Sequence, residues 1–206
     1  MLSFARLSLF LLLLAPTAVF AGAWPREAGQ VFLSFSASQK TTSDTGETYP
    51  YTSGYAEYGL TPNLTLGVDG GSDGADDWRA IAFVQYAFPA MGRHRVSVQL
   101  GGGAIPVPLL ETIEPIVRPG VSWGTALETP WGPGWAGLDL TYQYAPTSEE
   151  TVFKADATVG VRPRPDRAWI LQLQSEDPSV AADTLTLEPS YVIDVLPGRS
   201  LQLGAS

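Results

Sequence analysis

The chain has 206 residues, with 21 acidic against 12 basic side chains, a formal charge of −9 and no cysteine. The acidic balance argues against nucleic-acid binding, and the missing cysteine excludes disulfides, a thiol nucleophile, thiolate metal sites and a lipoprotein anchor. The length suits one folded domain, and no low-complexity linker or shift in composition marks a boundary.

Residues 1–21 read as a secretory signal peptide: Arg6 supplies a positive start, Leu7 to Leu14 is an almost unbroken apolar run, and Val19, Phe20 and Ala21 lead into a cleavage site. Cleavage falls after Ala21 or, alternatively, after Ala23. The apolar core is too short for a spanning helix, which needs about 20 residues. Every later apolar stretch is broken within a few positions by Gly, Pro or a polar residue, so any second entry into a membrane has to use strands. Losing Arg6 with the leader leaves 11 basic and 21 acidic residues, a formal charge of −10. That balance either keeps an exported chain soluble or contributes to selecting cations.

From Gln30 onward, short stretches of alternating apolar and polar residues are separated by turn residues, and no stretch sustains helical apolar spacing. Leu64 to Asp69 is the cleanest, with Leu64, Leu66 and Val68 on one face and Thr65, Gly67 and Asp69 on the other. Eleven strands are predicted, at 29–40, 50–60, 64–72, 78–88, 94–103, 113–125, 134–144, 151–162, 168–175, 184–195 and 200–206. The turns fall into two alternating sets. Thr61 to Asn63, Pro89 to Gly92, Thr129 to Gly134, Arg164 to Asp166 and Pro197 to Arg199 are tight and rich in chain-reversing residues. Thr41 to Glu47, Gly71 to Asp77, Gly102 to Glu111, Pro146 to Glu150 and Glu176 to Asp183 are polar. Short periplasmic turns and longer external loops characterise outer-membrane barrels, which assigns the first set to the periplasm and the second to the outside.

If Leu64, Val96, Leu138, Phe153, Leu171 and Leu187 point outward, the opposite positions carry Glu57, Asp69, Arg79, Glu114, Arg118, Asp139, Lys154, Asp156, Glu188 and Asp194. Inside a soluble sandwich those charges would need desolvation and pairing at a cost of several kcal/mol each. Inside a membrane barrel they face water or one another. Alternation alone also fits a soluble barrel with an apolar core and a charged outer face. Aromatic placement favours the membrane: Tyr58, Phe88, Trp123, Trp135 and Trp169 lie near the tight turns, and Trp78, Tyr144 and Phe153 near the polar loops, as two interfacial belts would.

Pro115, Pro119 and Pro189 fall inside predicted strands and are expected to mark local bulges, because each removes a ladder donor. Single-chain bacterial barrels have even strand numbers, and the eleventh span is short and lacks a closing aromatic. Either a twelfth strand is missing, or one strand has been divided in two and the number is ten.

Gly22-Ala23-Trp24-Pro25-Arg26-Glu27, then Tyr55 to Gly67, Val117 to Gly124 and Lys154 to Pro163 resemble a poorly characterised group of Gram-negative outer-membrane β-barrel proteins. These are hairpin signatures, so the resemblance implies fold and location only. Members of such families usually close with a strand that ends in an aromatic residue, and this chain departs from that pattern.

Chemistry-bearing motifs are sparse. Hydrolytic outer-membrane barrels resemble one another in pairing a His with a Ser, but His94 follows a tight turn beside Arg93 and Arg95 and reads as a surface residue. No Ser sits in a Gly-x-Ser-x-Gly elbow, and one His builds no His cluster on a metal. Asp69, Asp73, Asp76 and Asp77 do not match a calcium-loop spacing and read as solvated turn acids.

The expectation is therefore an all-β fold, an antiparallel up-and-down transmembrane β-barrel of about 10 to 12 strands with a short or missing last strand. Residues 22–206 form one domain in the outer membrane. The barrel is a narrow channel or a structural element without catalytic chemistry or cofactor, in contact with outer-membrane lipid and with small ions or solutes if its lumen is open. At this size side chains fill much of the lumen, so a closed barrel is at least as compatible as a pore. The alternative is a soluble secreted β-sandwich or lipocalin-like binding module.

Overall fold

A computed structural model describes residues 22–41, 48–74, 77–107, 112–180, 183–196 and 199–204. Residues 1–21, residue Asp76, the tips of four loops and one turn, and the last two residues lie outside them. The described residues form eleven strands: β1 (Val31–Thr41), β2 (Thr48–Thr61), β3 (Leu64–Ser72), β4 (Trp78–Ala87), β5 (His94–Val107), β6 (Thr112–Thr129), β7 (Gly132–Ala145), β8 (Glu150–Arg164), β9 (Arg167–Pro178), β10 (Thr184–Leu196) and β11 (Arg199–Gly204).

Each strand pairs antiparallel with its neighbours in sequence, in the order β1 to β11. The sheet is up-and-down, contains no helix and curls into a half-barrel. All eleven predicted strands are separate elements, which overturns the ten-strand reading, and β11 is short at six residues. No described helix is long and apolar enough to cross a membrane, a finding that does not bear on strands.

Turn lengths sort by end. Two residues link β2 to β3, β6 to β7, β8 to β9 and β10 to β11, and six link β4 to β5; the connections at the other end run from four to six. The β4–β5 turn reverses at Gly92, whose φ of 63° is costly for a residue with a Cβ.

Alternation along the strands separates two faces. On β4, Ile81, Phe83, Gln85 and Ala87 are buried, while Ala82, Val84 and Tyr86 between them are exposed. Register carries this division from strand to strand: Gln85 stands opposite Gln99, Gln99 opposite Gly120, and Ser122 opposite Asp139. The inner face therefore holds the polar and small residues. The outer face carries Leu66, Val84, Val98, Leu100, Val121, Leu138, Val159 and Leu171, all exposed.

The prolines do not produce bulges. The β5–β6 register runs unbroken past Pro115 and Pro119, and the β9–β10 register past Pro189. On the other side of Pro115 and Pro119 the partner is not paired: β7 pairs with β6 from Val117, skips Arg118 and Pro119, and resumes at Gly120. Those two prolines thus stand where the β6–β7 ladder is interrupted, which removes the need for a missing donor. Register shifts occur instead between Gly59 and Thr61, Val161 and Arg164, and Asp194 and Leu196, all beside the tight turns.

Candidate functional site

The described segment before β1 is too short and too broken by Pro25 and Gly29 to form a strand or helix of its own. It runs instead as a strap, residues 22–30, across the inner face at the tight-turn end. The Gly22 carbonyl accepts hydrogen bonds from Gln85 Nε2 on β4 and from Ser97 Oγ on β5, the latter at 3.0 Å. Ala23 is completely buried. Trp24 packs on a cluster of Trp135, Ala168, Ile170 and Val192. A side chain at Gly124 would run into the Trp24 ring.

Arg26 anchors the middle of the strap. Its guanidinium pairs with Glu57 of β2 and lies 4.2 Å from the centroid of the Phe32 ring, and its backbone amide donates to Thr65 Oγ1 of β3 at 3.2 Å. Tyr55 donates to the other Glu57 oxygen at 2.7 Å. Beyond Arg26 the strap joins the sheet: the Gly29 amide donates to the Gly59 carbonyl at 2.8 Å, and the Gly59 amide donates to Gln30 at 2.9 Å.

Further ion pairs occupy the same face. Arg118 on β6 reaches across β4 and β5 to Asp69 on β3, at 2.6 Å, and Arg79 lies 3.6 Å from the other Asp69 oxygen. Gly101 of β5, opposite Arg118 in the β5–β6 register, places no side chain beneath that crossing. Arg162 on β8 passes over buried Ala168 to Asp194 on β10, at 2.9 Å. Lys154 lies 3.6 Å from Asp156 of its own strand, and Asp156 stands opposite Asp139 in the β7–β8 register. At the loop end, buried Glu114 accepts from the backbone amides of Thr147 and Ser148, both at 2.6 Å.

All ten charges singled out by the alternation, Glu57, Asp69, Arg79, Glu114, Arg118, Asp139, Lys154, Asp156, Glu188 and Asp194, stand at inner-face positions of the register. The pairings of Arg26 and Arg162 were not anticipated. Arg162 shares its parity with Lys154, Asp156 and Thr158, so alternation contained that signal. Arg26 lies outside any strand, where alternation has nothing to offer.

Of the eight aromatics, Tyr58, Phe88, Trp123, Tyr144, Phe153 and Trp169 are exposed and Trp78 is half-buried. Trp135 departs from the interfacial expectation: it is only 3% exposed and packs in the inner cluster. A Cβ at Gly160, its register partner, would overlap the indole ring. Position 135 has the parity of Asp139, which places it inside. His94 is exposed and stacks on Trp123 at 5.9 Å between ring centroids. Asp73 accepts from the Asp77 amide at 3.1 Å, a local loop closure. Among the described residues no group of three or more His, Cys, Asp or Glu is arranged to hold a metal.

No family model, curated protein or solved structure matches the chain.

Proposed function

We propose that this protein is an exported outer-membrane β-barrel with an apolar outer face against lipid and a closed, ion-paired interior, a structural barrel and not an open channel or an enzyme. The observation that carries this reading is the division of one sheet into an outer face of exposed aliphatic and aromatic side chains and an inner face that gathers the charges, with Glu57, Asp69, Asp156 and Asp194 in ion pairs. A soluble monomer rarely exposes an apolar patch of more than a few hundred Å². Here the exposed aliphatics recur from β1 to β11, from Leu33 to Leu203.

Strand length is compatible with spanning. A tilted transmembrane strand needs about 9–11 residues, and the shortest of β1 to β10 is β3, with nine. Exposed aromatics near both ends of the strands match the girdles expected at two interfaces. Closure of the interior is supported by the strap at the tight-turn end and by the pairing of Asp69, Asp156 and Asp194 with cations on the same face.

Fractionation of expressing cells, with a gel comparing heated and unheated membrane samples, tests this placement. Recovery in the outer membrane with a heat-modifiable band is the expected result. A soluble periplasmic product without a mobility shift would overturn it and return the charges to an ordinary solvated face.

A further inference from the structure

Asp139 lies on the inner face without the cation that Glu57, Asp69, Asp156 and Asp194 have. Arg26 serves Glu57, Arg79 and Arg118 serve Asp69, Lys154 serves Asp156, and Arg162 serves Asp194. Among the described residues no ion pair reaches Asp139, and its Oδ1 is buried without a hydrogen-bond partner. Directly opposite, Asp156 also buries an unpartnered Oδ1. Two facing carboxylates and a single ammonium, that of Lys154 beside Asp156, leave this part of the interior one positive charge short, and a buried, unpaired carboxylate is costly.

Residue 22 occupies the space beside that carboxylate. A Cβ on Gly22 would lie 2.7 Å from Asp139 Oδ1 and 3.1 Å from Ser122 Oγ. The Gly22 backbone amide and the Ser122 hydroxyl are the hydrogen-bonding groups that act on the Asp139 carboxylate. As an amide, the Gly22 nitrogen is neutral; as a chain terminus it would be a cation in the same place.

We propose that the mature chain begins at Gly22 and that its α-ammonium is the counter-ion of Asp139, so that removal of the leader supplies the cation that this carboxylate lacks. The step is hydrolysis of the Ala21–Gly22 amide by water under a signal peptidase. The C–N bond breaks, Ala21 leaves as a carboxylate, and the Gly22 nitrogen takes up protons to become an ammonium. Cleavage after Ala23 would discard the Gly22 carbonyl that accepts from Gln85 and Ser97, together with a completely buried Ala23. It would leave Gln85, Ser97 and Asp139 without those partners at once, and each unmet buried polar group costs about 1–3 kcal/mol.

The inference rests on the exported, membrane-placed reading above, and its test separates the two. Protein purified from the outer-membrane fraction is analysed by intact mass and terminal sequencing. It is then treated with an amine-reactive ester at pH 7, folded in detergent or unfolded in urea. The mature chain offers three amines, the Gly22 terminus, Lys40 and Lys154. The expected result is a terminus at Gly22 that reacts about tenfold more slowly in the folded protein than in the unfolded one, as a docked group requires. Asp139→Asn, which keeps the shape and removes the charge, is expected to speed that reaction in the folded state. Should the variant fail to fold, the wild-type folded-to-unfolded ratio still decides. A terminus at Trp24, or a Gly22 amine equally reactive in both states, would overturn the inference while leaving the membrane placement intact. Absence from the outer membrane would instead remove the placement, and this inference with it.

Discussion

The Arg26–Glu57 pair ties a segment without regular structure to the sheet through two charges buried together. Removing one partner of such a pair strands the other and costs about 3–5 kcal/mol, whereas replacing both with apolar residues of similar volume is often close to neutral. Arg26→Ala and Glu57→Ala are each expected to lower stability by that amount in urea unfolding of the refolded protein, followed by tryptophan fluorescence. The double change Arg26→Met with Glu57→Met is expected to recover most of the loss, because no unpaired charge remains. Equal losses in the single and double variants would mean that the pair contributes only packing. The fate of the two charges was half legible in the sequence. Glu57 follows from alternation within β2, but its partner lies 31 positions earlier in an aperiodic segment. Trp135 lies inside for a related reason: it is near a turn, but it shares its parity with Asp139, and parity decides which face a strand residue occupies.

At the scale of the strand, legibility was high because each element is long enough to repeat its alternation several times. Most predicted boundaries lie within two residues of the observed ones. The larger differences are extensions, β5 to Val107, β6 to Thr129 and β9 to Pro178. The β5 extension runs through Pro106, a residue that reads locally as a breaker. Pairing with a long partner overrides such local preference. The strap was illegible, since its contacts lie 75 positions along the chain at Ser97 and farther still where Trp24 packs, and leave no local pattern. A substitution on β5 separates the two faces experimentally. Leu100 is 57% exposed on the outer face in the middle of the strand. If that face meets hydrocarbon, Leu100→Arg is expected to destabilise the refolded protein by about 2–4 kcal/mol. On a protein in water, the same change at an exposed position would stay within about 0.5 kcal/mol. Urea titration in phospholipid bilayers reads the difference, and a loss in the smaller range would place that face in water.

For the whole molecule, the strap and the crossing ion pairs bear on whether the interior conducts. Arg118 reaches Asp69 over two intervening strands, and Arg162 reaches Asp194 over one, so both bridge strands on the concave face. At the tight-turn end Trp24 fills the space above Gly124 and Ala23 is sealed from solvent. Charges that pair with one another present little net field to a passing ion, and side chains occupy much of the lumen of a barrel of this size. The purified protein is accordingly expected to give no sustained conductance steps in planar bilayers. A chain beginning at Gln30 lacks Trp24 and Arg26 and unseals the tight-turn end. It is expected to show cation-preferring steps, because Glu57 and Asp139 then face the opening without the strap. A heat-modifiable band from the shortened chain serves as the control for folding. Steady cation conductance through the intact protein would show that the strap leaves a path, and the interior would then be a narrow channel lined by the same acids.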